Sequence, residues 1–233
     1  MQLYSKISAL GAVFALATAF ASADTITSSS ATVTFAGYTA TDPTGSLPTG
    51  NAATFNLDPG TVWFGPLPGS SWVGSTATSG PVGTVNPAMG YYTYNYEFTP
   101  SGGAGTYTLN LSVLADDTTE VLLNGTIIEV PFGGLGGDTH CADSAPGCDA
   151  GTLYMLPPIV ELLGTTDTLS FVVHQAGQFP AGGTNNPSGV DFVGTLIQGR
   201  SGATPTVPEP STLLMLGTGL IGSAGALFRR MRA

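Results

Sequence analysis

Tyr92-Thr93-Tyr94-Asn95-Tyr96-Glu97-Phe98 alternates large aromatic side chains with polar ones along its whole length. A period of two puts every aromatic on one face of an extended strand and every polar residue on the other, an arrangement a helix cannot produce. Tyr107, Leu109, Leu111, Val113 and Ala115 repeat the pattern after Gly102-Gly103-Ala104-Gly105. The two runs read as a hairpin joined by a short connection. Further on, 121–123 and 126–130 flank Asn124-Gly125, the strongest short hairpin-turn signal. Leu169, Phe171 and Val173 mark another strand and 190–197 a last one, while 32–36 and 61–64 are expected to supply outer strands. No stretch sustains a helical period. The composition between the two ends agrees, being rich in Thr, Val, Gly, Pro, Ser and aromatics and poor in Lys, Glu and Arg. About eight or nine strands of this length predict an all-β fold, a single antiparallel jelly-roll β-sandwich.

The ends of the chain are of another kind. Lys6 precedes an apolar run over 7–20, followed by Ala21-Ser22-Ala23. A short positive region, an apolar segment of that length and small residues before the cut describe a secretory signal peptide, cleaved after Ala23 to leave Asp24 first. At the other end Val207-Pro208-Glu209-Pro210-Ser211 opens onto an uncharged stretch, and Arg229, Arg230 and Arg232 close the chain. The segment 212–228 just reaches the length needed to span a hydrocarbon core as a helix. Arginines beside such a span stay on the cytoplasmic side, which puts everything before Pro208 outside the inner membrane. This arrangement resembles the PEP-CTERM sorting domain of Gram-negative bacteria. The resemblance implies recognition and removal of the tail by an exosortase, in hosts that make extracellular polysaccharide. The chain thus divides into a signal peptide (1–23), a β-sandwich domain (24–199), a linker (200–206) and a sorting signal (207–233).

Charge narrows the partners. The chain carries 15 acidic and five basic residues. Within 24–205 there are 14 carboxylates and a single base, Arg200, so the exported part is near −13 with no lysine. Phosphate binding needs Lys and Arg, which excludes nucleic acid. Anionic membranes and acidic polysaccharides are repelled as well unless a divalent cation bridges them, leaving neutral glycans and cations as compatible partners.

Several residues are candidates for chemistry. Asp116 and Asp117 end a predicted strand, and adjacent carboxylates on a bend suit calcium, the one cofactor the sequence suggests. The competing reading makes them turn formers. Cys141 and Cys148 are the only cysteines, and in an oxidising compartment they are expected to pair across a short loop. Trp63 and Tyr91 are candidate platforms for sugar stacking, with core filling as the alternative reading for both, and Asp117 is a third candidate glycan-binding residue. Trp72 and the 92–98 aromatics are expected in the core. His174 stands on a predicted strand without a nucleophile motif, and Glu97, Glu129 and Glu161 show no spacing that singles out a pair. The sequence therefore points away from an enzyme.

Ser71-Trp72-Val73-Gly74, the 92–98 strand, Ala115-Asp116-Asp117, Leu123-Asn124-Gly125, the 167–173 strand and Ser188-Gly189-Val190-Asp191-Phe192 follow in an order similar to galactose-binding-like β-sandwiches. That resemblance implies a carbohydrate-binding module, and the Asp-Asp step resembles the calcium-dependent sugar site of some PA14-type adhesins. The resulting expectation is an exported surface or matrix-associated protein that binds neutral polysaccharide without catalysis. The alternative is a structural or adhesion matrix protein without sugar affinity.

Overall fold

The computed structural model describes residues 23–43, 45–83, 87–129, 154–156, 158–175 and 186–199. The signal peptide before Ala23, the Cys141 and Cys148 pair and the 200–233 tail lie outside the described residues. What is described is all β, built as two antiparallel sheets.

The first sheet is centred on two long strands, β7 (Gly105–Asp116) and β13 (Gly189–Gln198), paired along their lengths. β11 (Ile159–Leu163) and β10 (Tyr154–Met155) line the free side of β7. β1 (Ala23–Thr27) and β5 (Val73–Gly74) line the free side of β13, and β4 (Phe55–Asn56) follows β5. The second sheet runs β3 (Ala52–Ala53), β2 (Val33–Thr39), β6 (Gly90–Phe98), β12 (Asp167–Gln175), β8 (Thr118–Leu123), β9 (Thr126–Glu129).

The alternation read from the sequence sets the inner faces. Tyr92, Tyr94 and Phe98 of β6 and Leu169, Phe171 and Val173 of β12 point inward from the second sheet. Tyr107, Leu109, Leu111, Val113 and Ala115 of β7 and Val190, Phe192 and Leu196 of β13 point inward from the first. The layers meet where Phe171 stacks on Phe192, ring centroids 4.1 Å apart and 14° from parallel. Asn124-Gly125 makes the expected tight turn between β8 and β9, with Leu123 opposite Thr126. Both turn residues have positive φ (50° and 79°), the type I′ conformation that Asn and Gly tolerate.

Two expectations need correction. The 92–98 and 107–115 runs are not a hairpin. β6 pairs with β2 and β12, whereas β7 pairs with β13, β11 and β10, so the glycine-rich connection crosses from one layer to the other. Each run has one apolar face and needs a facing layer to bury it, and crossing satisfies both at once. The 61–64 segment is a turn rather than a strand, with the Trp63 amide donating to the Pro59 carbonyl at 3.1 Å.

The inward tyrosines make the core sensitive to alkali. Burial is the main cause that pushes the Tyr92 phenol up to about 12, and the neighbouring Tyr38 adds to it. Tyr94, fully buried, is raised further, again chiefly by burial. Ser75 approaches the Tyr94 hydroxyl but does not form a well-aligned hydrogen bond. An acid whose folded pKa lies above its unfolded value of about 10 favours folding at lower pH and loses that contribution as pH rises. Stability is therefore expected to fall between pH 10 and 12, with part of the tyrosinate absorbance appearing only on unfolding. Ionisation of every tyrosine in one step near pH 10, with the fold intact, would contradict this.

Candidate functional site

The strands converge on a polar end of the sandwich. There β7 stops at Asp116, Asp117 bridges the layers and β8 begins at Thr118. The start of β13 and the end of β12 lie at the same end, with Gly189 opposite Asp116 and His174 opposite both Thr118 and Tyr91. The Asp117 amide donates to the His174 carbonyl at 3.2 Å, tying the bend to β12.

On the outside of the first sheet the 57–74 arm folds over this end. Trp63 stacks on Trp72 with centroids 4.2 Å apart, and Leu57, Leu67 and Leu114 complete a second apolar cluster. The Trp63 indole N–H donates to Asp116 Oδ2 at 2.7 Å, and the Trp72 indole N–H donates to the Phe64 carbonyl at 2.9 Å. Gly189 makes room for this contact. A Cβ there would lie 3.0 Å from Trp63 Cη2 and 3.0 Å from the Val73 carbonyl oxygen. Trp63 is only 5% exposed, so it is not the open sugar platform expected of it. An indole whose N–H is satisfied by a carboxylate gains more from burial than from exposure. Trp72 is buried as expected.

The arm is held by a residue the sequence reading passed over. Asp191 is fully buried on the outward side of β13. Its Oδ1 accepts from the Ser28 hydroxyl at 2.7 Å and the Ser70 hydroxyl at 2.5 Å, and its Oδ2 from the Leu67 amide at 2.8 Å. Burial raises its pKa, and these hydrogen bonds, Ser70 first, pull against the rise. Alternation places Asp191 outward, where a carboxylate is ordinarily solvated, so no sequence signal marks it as buried.

On the outside of the second sheet the same end carries Tyr91. It is half-buried, and its ring stacks on the His174 imidazole with centroids 4.5 Å apart and planes 26° apart. Its phenol is raised by burial first, then by the negative charges of Asp42 and Glu120. Leu122 and Val172 form the apolar floor beside it, packed with Leu47. Farther along the face the Ser170 hydroxyl donates to Asn95 Oδ1 at 2.8 Å. Tyr91, His174, Glu120 and the Asp117 backbone thus come together, while Trp63 lies on the opposite outer face. Glu97 and Glu161 stand in different sheets, so the structure does not pair them.

Asp116 and Asp117 are both buried. They supply two hard oxygen donors of the kind calcium takes. Among the described residues no group of three or more His, Cys, Asp or Glu converges as a metal cluster.

The tail has an independent counterpart. Residues 206–232 match the PEP-CTERM protein-sorting motif. This chain carries a sorting tail. The structure is similar to the native structure of a family 35 carbohydrate-binding module from Clostridium thermocellum, at 12% identity and a TM-score of 0.33, covering 74% of this chain and 97% of that one. It is also similar to a family 35 module from Paenibacillus barcinonensis, at 14% identity and a TM-score of 0.33, covering 76% and 99%. The PA14 domain of the MpAFP antifreeze protein is similar at 11% identity and a TM-score of 0.28, covering 74% and 66%. Neither identity nor score at this level transfers a ligand to this chain. No curated protein sequence matches it.

Proposed function

We propose that the protein is exported, presented at the bacterial surface or in the extracellular matrix, and binds neutral glycan non-catalytically at its polar end. The sorting tail supports export, and an exosortase is the partner that would read it. The observation that carries the glycan reading is the Tyr91–His174 stack, half-exposed beside the carboxylates Asp42 and Glu120. A ring face suits the C–H face of a sugar, and carboxylate and hydroxyl groups around it suit sugar hydroxyls. The absence of Lys and Arg from 24–199 favours an uncharged ligand.

Calcium at Asp116 and Asp117 belongs to the same proposal. Two adjacent carboxylates at the bend between the layers are the hard oxygen donors that calcium takes, which supports a cation there.

The test is a neutral-glycan and exopolysaccharide array probed with residues 24–205, with calcium and with chelator. Saturable binding is expected, weakened about tenfold by Tyr91→Ala, a loss of roughly 1.4 kcal/mol. Asp117→Asn should remove both the calcium dependence and any rise in melting temperature with calcium. A folded protein that binds nothing in either condition would leave a structural or adhesion protein instead.

A further inference from the structure

The outer face of the first sheet is only half covered. The 57–74 arm lies over its polar end, above Leu114 and Asp191. Among the described residues nothing lies over the other half. There the register lines up Val160, Thr108, Ile197 and Ala23 across four strands, with Leu162 beside Thr106 in the next row. Val160 is 66% exposed, Leu162 79% and Ile197 39%.

These rows hold no charged residue, in an exported region near −13. The carboxylates of β1 and β11, Asp24 and Glu161, occupy the alternate positions, on the side of inward-facing Ile26 and Leu163. β11 is also an edge, paired only with β7 among the described residues. Ala23 lies opposite Ile197, so the start of β1 and the end of β13 sit side by side at this end. From Gly199 only 11 residues, 200–210, separate the domain from the apolar run, a reach of at most about 40 Å.

We propose that this bare half is the docking face for a second copy of the chain. On this face uncharged threonines and aliphatic side chains meet, so two such negative domains can approach here without opposing carboxylates. A twofold axis running along the strands lets the patch match itself and sends both tails out at the same end. Copies anchored by those tails in one membrane hold their patches at the same height, which raises their effective concentration.

The experiment is the mass of the full chain in lipid nanodiscs, by size exclusion with light scattering, backed by a dilution series. A dimer is expected for the natural chain. Leu162→Glu and Ile197→Glu should each raise its dissociation constant about tenfold or more, by the burial lost and the charges opposed. Val160→Thr, which keeps strand propensity, should weaken it less. Glu97→Gln, exposed on the other sheet, should leave it unchanged. Unaltered melting curves show that the variants fold. A natural chain that stays monomeric, or a dimer indifferent to Leu162→Glu, overturns the proposal. So does a monomer whose Leu162→Glu variant loses vesicle or glycan binding, which would assign the face to another partner. The glycan array reads the opposite end of the sandwich, so either proposal can fail alone.

Discussion

Asp191→Ala is expected to destabilise the domain by about 2 kcal/mol or more, since it leaves the buried Leu67 amide without its acceptor, at about 1–3 kcal/mol, and removes two hydroxyl hydrogen bonds at about 0.5–1.5 kcal/mol each. The Ser28 and Ser70 hydroxyls keep the Ser71 and Leu67 carbonyls as acceptors, and the three donors to Asp191 come from the β1–β2 turn and the 57–74 arm. The loss should be seen in the urea midpoint and as early exposure of the Trp63 and Trp72 fluorescence, because the arm carries both indoles. The pH dependence supplies a second reading. A carboxyl whose folded pKa is raised favours folding fully below the ordinary Asp range, and that contribution is lost as pH climbs through the raised value. Asp191→Asn should flatten stability across that interval while remaining less stable than the natural chain. With its Oδ1 kept on the Leu67 N–H, the new amide N–H faces the two hydroxyls, which must turn to accept it, Ser28 Oγ already accepting from the Phe192 amide. A midpoint unchanged by Asp191→Ala would show that the arm is held by Trp63 and Trp72 packing alone.

Phe171→Ala should cost about 3–5 kcal/mol, the range for removing a buried aromatic from a packed core. Phe171 is fully buried in the second sheet and stacks on Phe192 of the first, so its removal opens a void between the layers. Denaturant unfolding should show the loss with little change in the slope. Tyr91→Ala provides the contrast. Its ring lies on an outer face and is half-exposed, so its removal should move the midpoint much less while abolishing the stack on His174. A loss at Phe171 no larger than at Tyr91 would mean that the two layers do not share a single packed core.

Much of the candidate site was legible as residues but not as an arrangement. Tyr91 was recognised and remains half-exposed beside His174, yet nothing in the spacing announces that 174 lies opposite 91. Trp63 was recognised for the wrong surface, because a tryptophan between glycines and prolines looks the same whether its ring faces water or a second indole. Asp191 was passed over because a carboxylate at an outward position of a strand is normally solvated, and only the return of a distant segment buries it. Asp116 and Asp117 were placed correctly at a strand end, but the burial of both depends on how the two layers close.

From the order of residues alone came the strand period, the inward identity of the 92–98 and 107–115 side chains, the Asn124-Gly125 turn, the acidic balance and the sorting tail. All of these are local or additive. A period of two is set by the pleat, a turn by the φ its residues tolerate, and net charge by a count. The pairing partners of β6 and β7, the burial of Trp63 and Asp191 and the bare half of the first sheet required the folded chain. Alternation states which face of a strand is apolar and leaves open which strand lies beside it. That choice belongs to the packing of two layers, where segments far apart in the chain compete to cover the same apolar surface.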